Sequence, residues 1–324
     1  MEKCKHFLST LRDVIVLGAV LGLLFPPPSY GKKSVAPPLQ EGDPSSDHPG
    51  QGDEQRADPC EHLPGPRGEA KQFGRALAVG DFDGDNLADL AVGIPFEDVG
   101  TKSNAGVVYV LYGSKISSGL PASVQSAQIW HQNIDGIQDG AAASDHFGKA
   151  LAAGDFNADG QIASAVGVPD EDSTDSTGIV RDDAGAVHII YGTSSGLNEA
   201  GDQFFTQKDL GQGRAVEAGD QFGASLTAWN FGRNETLSTP PFSRTFRTAD
   251  LAIGILGEDL FNAQGVNLAD VGAVSVLYGS SLSNKLVATG NQLWHQTVPG
   301  ADTPNSDEAG DQIEAGDQFG AALY

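Results

Sequence analysis

Cysteine and positive charge are both scarce in this 324-residue chain: it has two cysteines, and 19 basic residues stand against 43 acidic ones. Cys4 lies near the amino terminus, in a stretch read below as a removable leader, which leaves Cys60 alone. No internal disulfide can then form in the mature chain. The net charge of −24 disfavours a nucleic-acid partner. It favours divalent cations or a basic surface, although acidity by itself chiefly promotes solubility. Long apolar runs are also missing: Val14–Phe25 has twelve residues, too few to cross a bilayer as a helix. Charged residues amount to 19% and glycines number 42, a balance that argues against long helices.

Residues 1–31 have the layout of a secretory signal peptide. Lys3, Lys5 and Arg12 form a basic end, Val14–Phe25 the apolar core, and Ser29 and Gly31 the small residues at −3 and −1. Retention of this segment as an anchor is the alternative, and no lipid-accepting cysteine follows it. Its removal leaves 16 basic and 41 acidic residues, a charge of −25. Residues 32–72 are rich in Pro, Gly, Ser and acids with almost no large apolar side chains, the composition of a disordered spacer. An exported chain without disulfides needs another staple, and metal is the candidate.

The stretch Asp81-Phe82-Asp83-Gly84-Asp85-Asn86-Leu87-Ala88-Asp89 sets carboxylates at positions 1, 3, 5 and 9 of a short loop. With the Leu87 carbonyl at position 7, these hard oxygen donors suit Ca²⁺. Like charges packed this closely repel unless a cation sits among them. An EF-hand loop would carry Glu at position 12, but Val92 stands there in a run of β-branched and small residues. The spacing therefore predicts a Ca²⁺ loop between two strands; an acidic hairpin turn without metal is the bland alternative.

Internal repetition decides the fold class. Phe-Gly pairs occur at 73–74, 147–148, 222–223 and 319–320, and each of the first three is followed eight residues later by Asp81, Asp155 or Asn230. Then come Leu90–Gly93, Ser164–Gly167 and Leu251–Gly254. Third segments follow at 105–114, 184–193 and 271–280, and fourth segments at 128–132, 203–207 and 292–296. Four short β-branched or aromatic segments per unit, separated by Gly, Asp, Asn and Ser, predict four strands. Four strands per unit of about 75 residues predict the blade of a β-propeller.

The Phe-Gly pair, the D-x-D/N-x-D-G-x-x-D-L loop and the G-A-x-x-V-x-Y-G strand resemble the FG-GAP repeats of integrin α-subunit propellers and their bacterial relatives. The resemblance covers residues 73–324. It implies a seven-bladed all-β propeller with Ca²⁺ in strand-turn-strand loops on one face and ligands on the opposite face. Here the expected architecture is an incomplete propeller, with blades at 73–146, 147–221 and 222–318 and the first strand of a fourth at 319–324. Three blades and a stub cannot close a ring, and exposed strand edges invite aggregation. The expectation is a truncated or split product; the alternatives are other propeller blades supplied in trans or an arc completed by another protein.

The repeats also depart from the pattern. In the second loop Asp155, Asn157, Asp159 and the Gln161 carbonyl retain the front half, but Ala163 replaces the closing carboxylate. Weak Ca²⁺ binding, or none, is expected there. The third repeat has no such loop. Asn230-Phe231-Gly232 is followed by an insertion through Pro240-Pro241 that rejoins at Asp250-Leu251, with Arg233, Arg244 and Arg247 nearby.

Glu97-Asp98, Glu171-Asp172 and Glu258-Asp259 recur four residues after each second-strand glycine. They are candidates for a ligand-binding acidic rim on the face away from the Ca²⁺ loops; recurrence in every blade equally suits turn capping. His131 and His295 recur in Trp-His-Gln, which argues for packing with Trp130, Phe205 and Trp294 buried beside them. Residues 192–196 match G-x-S-x-G but precede no helix, so a turn is expected. Asn234-Glu235-Thr236 is an N-glycosylation sequon on the inserted loop.

These observations predict a secreted or cell-surface, Ca²⁺-stabilised, non-catalytic propeller segment. By resemblance, its partner would be an extracellular protein or glycan bound in an adhesion-like manner, with no nucleic acid and no membrane span. Two rivals stand beside it: the accessory region of a secreted, phospholipase-type hydrolase whose catalytic part lies elsewhere, and a non-functional remnant.

Overall fold

The computed structural model describes residues 71–115, 119–121, 127–211, 216–239, 242–261, 266–295, 316 and 318–323. The leader, nearly all of the spacer and the Pro240-Pro241 pair lie outside the described residues. In the first repeat, strands β1 (Leu77–Gly80), β2 (Asp89–Ile94), β3 (Val107–Leu111) and β4 (Gln128–Trp130) form one antiparallel sheet in chain order. The second repeat contributes β5 (Ala150–Gly154), β6 (Ala163–Val168), the small ladder β7 (Ser173–Thr174) and β8 (Val180–Arg181), then β9 (Ala186–Thr193) and β10 (Gly196–Phe205). Strands β5, β6, β9 and β10 make the second sheet. The third repeat supplies β11 (Phe222–Trp229), the hairpin β12 (Glu235–Thr239) and β13 (Phe242–Phe246), and β14 (Asp250–Ile255). It continues with the ladder β15 (Leu260–Phe261) and β16 (Asn267–Leu268), β17 (Ala273–Ser280) and β18 (Lys285–Trp294). Strands β11, β14, β17 and β18 form the third sheet.

The chain is thus all-β, with three four-stranded antiparallel sheets of the kind expected for FG-GAP blades; the described residues form no closed ring of sheets. The second sheet is covered on both faces. Ala78, Ala91, Val108 and Trp130 of the first sheet pack with Leu151, Val166, Ile190 and Leu197 of the second. On its other face Val187, Ile189 and Phe205 pack with Leu226, Leu251, Ile253 and Leu277 of the third. Central strands therefore read as apolar on both sides, as in the fully buried β2, β6 and β14.

The Phe-Gly pair opens each following repeat by docking on the preceding sheet. Phe147, Phe222 and Phe319 donate their N–H groups to the carbonyls of Ala105, Ala184 and Val271 at 2.8, 3.0 and 2.7 Å. This brings backbone against backbone: a Cβ on Gly93 would lie 2.1 Å from the Gly148 carbonyl oxygen, and one on Gly167 would lie 2.1 Å from that of Gly223. The second-strand glycines Gly93 and Gly167 are therefore demanded by close approach of the Phe-Gly backbone.

Three features differ from the sequence expectation. The insertion of the third repeat is a regular hairpin, in which threonine, serine and phenylalanine residues with good strand propensity pair over five residues on each side. The fourth strands of the second and third repeats begin earlier, directly after the tight turn, and absorb a register shift between Asn198 and Gln203 in β10 and between Val287 and Gln292 in β18. Trp130 and Phe205 are buried as expected, but Trp294 is 50% exposed. It lies on the outer face of the third sheet, where no further sheet covers it among the described residues.

Candidate metal centre

The loop between β1 and β2 folds on its own aspartates. Asp81 Oδ2 accepts from the Asn86 N–H at 2.8 Å, Asp83 Oδ1 from Asp85 at 3.1 Å, and Asp85 Oδ1 from Leu87 at 2.8 Å. Each short side chain caps a backbone N–H ahead of it, which winds the loop into a tight arc. Asn86 sits in the left-handed region at φ 67°, a conformation that asparagine tolerates. The second loop repeats the wrap bond for bond. Asp155 Oδ2 accepts from Gly160, Asn157 Oδ1 from Asp159, and Asp159 Oδ1 from Gln161.

The loops differ in what faces their interior. In the first, Asp81, Asp83 and Asp89 each offer an oxygen within 4.8 Å of the others. Asp81 Oδ1 is buried with no hydrogen-bond partner, an orphaned acceptor on the inside of the arc. Such an all-carboxylate set fits a hard divalent cation, and Ca²⁺ in particular. Asp85 is exposed and lies outside that group, and the Leu87 carbonyl makes no hydrogen bond among the described residues. In the second loop Asn157 Nδ2 donates to Asp159 Oδ2 at 2.8 Å, so an amide already occupies a lone pair that a cation would take. Asp155 Oδ1 and Gln161 Oε1 remain buried without partners.

Asp89 serves a second purpose. It is 1% exposed, and its two oxygens accept from the N–H groups of Phe82 at 2.7 Å and Gly113 at 2.8 Å. It thereby clips the loop to the end of β3. Burial pushes its carboxyl up to about 6, the Gly113 and Phe82 N–H groups pull it down, and the charges of Asp83 and Asp81 push it further up. Asp250 makes the same clip in the third repeat, accepting from Phe231 at 2.8 Å and Gly279 at 3.0 Å, although no other loop carboxylate survives there. The inserted hairpin supplies a fixed cation instead. Arg233 stacks on the Tyr278 ring at 4.8 Å, bonds to the Gly290 carbonyl at 2.8 Å, and its charge offsets the burial that raises Asp250.

The paired acids of the opposite connections divide into two roles. Asp98, Asp172 and Asp259 each cap one backbone N–H, of Asn104, Asp183 and Asp270, at 2.9, 3.0 and 3.0 Å. All three capped residues have φ near +54°. Glu97, Glu171 and Glu258 are buried at 6%, 4% and 3% exposure and do not line an open rim. Gln132 donates to Glu171 and Gln207 to Glu258, so glutamines of one repeat grip the glutamates of the next. Burial, with the charges of Asp145 and Asp139, pushes Glu171 up to about 9. His131 is held down by burial, and its Nδ1 has no hydrogen-bond partner. Residues 193–196 form the β9–β10 turn, closed by Thr193 Oγ1 donating to the Gly196 carbonyl.

Sequence reasoning assigned no role to the repeated tyrosine of the third segment or the glutamine that opens the fourth. Tyr112 with Gln128, and Tyr191 with Gln203, tie adjacent sheets together. Their recurrence was the available signal.

Residues 73–111 match the FG-GAP repeat family. Over 98 residues the chain is 40% identical to integrin alpha-M of Mus musculus, which covers 30% of the chain and 8% of that protein. It is 33% identical over 125 residues to phosphatidylinositol-glycan-specific phospholipase D of Bos taurus, covering 39% of the chain and 14% of that protein. With integrin alpha-PS2 of Drosophila melanogaster it shares 32% identity over 146 residues, covering 44% and 9%. The chain spans about a seventh or less of the length of these relatives. It carries an FG-GAP repeat at residues 73–111 and is related over part of its length to integrin alpha subunits and to phosphatidylinositol-glycan-specific phospholipase D.

Proposed function

We propose that this chain is a Ca²⁺-stabilised, non-catalytic β-propeller segment that binds an extracellular protein or glycan. The observation that carries the metal assignment is the clustering of Asp81, Asp83 and Asp89, with Asp81 Oδ1 buried and without a hydrogen-bond partner. Filled, the site converts a self-repelling arc into a rigid turn; binding to the folded form alone adds about 2.7 kcal/mol at a free-ion concentration about a hundredfold above Kd. No helix among the described residues is long and apolar enough to cross a membrane. The leader 1–31 supports export, and the likeness to integrin alpha-M supports adhesion-like binding.

A second reading is the accessory region of a secreted hydrolase, favoured by the likeness to phosphatidylinositol-glycan-specific phospholipase D in four mammals. Calorimetric titration of chelator-stripped protein with Ca²⁺ tests the shared part of both readings. One binding event, absent in Asp81→Asn, is expected; an unchanged heat in that variant removes the metal assignment. Assays for phospholipase activity test what both readings assume of this chain, and turnover by the chain itself would overturn the non-catalytic reading.

A further inference from the structure

The inserted hairpin of the third repeat carries Asn234-Glu235-Thr236, and the sequence contains no second Asn-x-Ser/Thr triplet. The middle residue is not proline, so the triplet meets the sequence demand of N-glycosylation. A triplet alone is a weak signal. A bulky, hydrophilic glycan also needs an asparagine that stays at the surface of the folded chain with its amide nitrogen free.

The fold meets that second demand. Asn234 immediately precedes β12, and both it and Thr236 are exposed. Asn234 stands four residues after Asn230, as Asp85 follows Asp81 and Asp159 follows Asp155. Asp85 and Asp159 are exposed as well, although the sheet of the second repeat is covered on both faces. Exposure at this position is therefore a property of the loop and does not depend on what lies against the sheet.

Neighbouring bonds fix which way the amide faces. Asn230 Nδ2 donates to the Thr248 carbonyl at 2.8 Å, an oxygen that can only accept, so this atom is a nitrogen. The same nitrogen donates to Asn234 at 2.6 Å, and the Asn234 atom that meets it is therefore Oδ1. Asn234 Nδ2 is left over and makes no hydrogen bond among the described residues, so exchanging one of its hydrogens for a sugar sacrifices none. The base of the site is held firmly. The Asn234 N–H donates to the Gly232 carbonyl at 3.0 Å, Arg233 bonds to the Gly290 carbonyl, and Glu235 accepts from Ser280, Ser281 and the Leu282 N–H.

We propose that Asn234 is a modification site, which receives an N-linked oligosaccharide during export and carries it where the other repeats have their aspartate loops. In the transfer, Asn234 Nδ2 bonds to the anomeric carbon of a polyprenyl-diphosphate-linked oligosaccharide. The bond from that carbon to the diphosphate oxygen breaks, the polyprenyl diphosphate leaves with the electron pair, and Nδ2 gives up one proton. The exporting cell supplies the donor and the transferase; the fold keeps the product in solvent. The proposal rests on the export reading of residues 1–31.

Expression of the full chain in a eukaryotic cell line tests it, once with its own leader and once with a foreign secretion leader fused in front. The glycan is read on cell-associated and secreted chain together, so a retained product is scored too. One glycan, removed by peptide-N-glycosidase and mapped to Asn234, is expected with both leaders. Asn234→Gln and Thr236→Ala should each abolish it, and the glycosylated and trimmed forms should melt together. Unmodified chain with both leaders, a glycan that survives Asn234→Gln, or a glycosylated form that melts well below the trimmed one overturns the proposal. A glycan added only behind the foreign leader overturns the export reading on which the proposal rests, and leaves Asn234 itself a competent acceptor.

Discussion

The loops at Asp81–Asp89 and Asp155–Ala163 have the same backbone wrap and different interiors. The first brings three carboxylates within 4.8 Å of one another; the second places an amide on Asp159 and an alanine where the closing acid would be. The third repeat discards the arc but keeps the closing acid, Asp250, with both of its backbone bonds. The closing aspartate is therefore a backbone clip in both repeats, whether or not other carboxylates stand beside it. The front aspartates shape the turn through their backbone bonds whether or not a cation is present.

The largest expected effect separates those two duties. Asp89→Ala leaves two buried N–H groups without acceptors, so stability should fall by about 2–4 kcal/mol even in chelator. Asp83→Asn should cost little in chelator, since the amide relieves repulsion, but it should erase the Ca²⁺ increment of about 2–3 kcal/mol. Thermal melts of both variants with Ca²⁺ and with chelator read the difference; equal losses in chelator would break the distinction between clip and ligand.

Conversion of the second loop into the first sharpens the comparison further. Asn157→Asp with Ala163→Asp removes the amide donor and restores the clip. A second calorimetric Ca²⁺ event, adding about 1–2 kcal/mol of stability, is expected. Ala163→Asp alone should stabilise in chelator without adding that event. A single event in the double variant would mean that the two interiors differ in more than these side chains.

The smallest effect concerns the opposite connections. Glu171, raised by burial to about 9, is protonated at neutral pH, and its folded value lies above its unfolded one. Its ionisation therefore opposes folding, and stability should decline as pH rises from about 4.5 toward 9. Glu171→Gln keeps the shape without the titration and should be more stable than the wild type at pH 9 by about 1 kcal/mol. Asp220, raised by burial to about 8, keeps a residual slope in that variant. Identical pH profiles for wild type and variant would show that Glu171 is ionised in the folded chain.

Much of the fold was legible because its signals are local. Four strands per repeat and the Asp81–Asp89 turn between the first two are found, although the fourth strands of the second and third repeats begin earlier than expected and residues 318–323 form no strand. The inserted hairpin was equally local but was hidden by the proline pair, which drew attention to a break in a stretch whose flanks have strand chemistry. Glu97, Glu171 and Glu258 were misleading for a different reason. A charged residue in a connection normally faces water, and only a glutamine from the neighbouring repeat turns two of these inward.

The sequence by itself determined the repeat, the strand pattern and the ligand chemistry of the first loop, because periodicity, turn residues and donor type act over a few neighbouring positions. Tertiary structure alone decided which acids are buried, that Asp89 bonds to Gly113 across the sheet, and that Tyr112 and Gln128 hold Leu197 some 70 to 85 residues away. Those facts depend on which sheet lies over which, and therefore on contacts whose partners are far apart in the chain and carry no local signature.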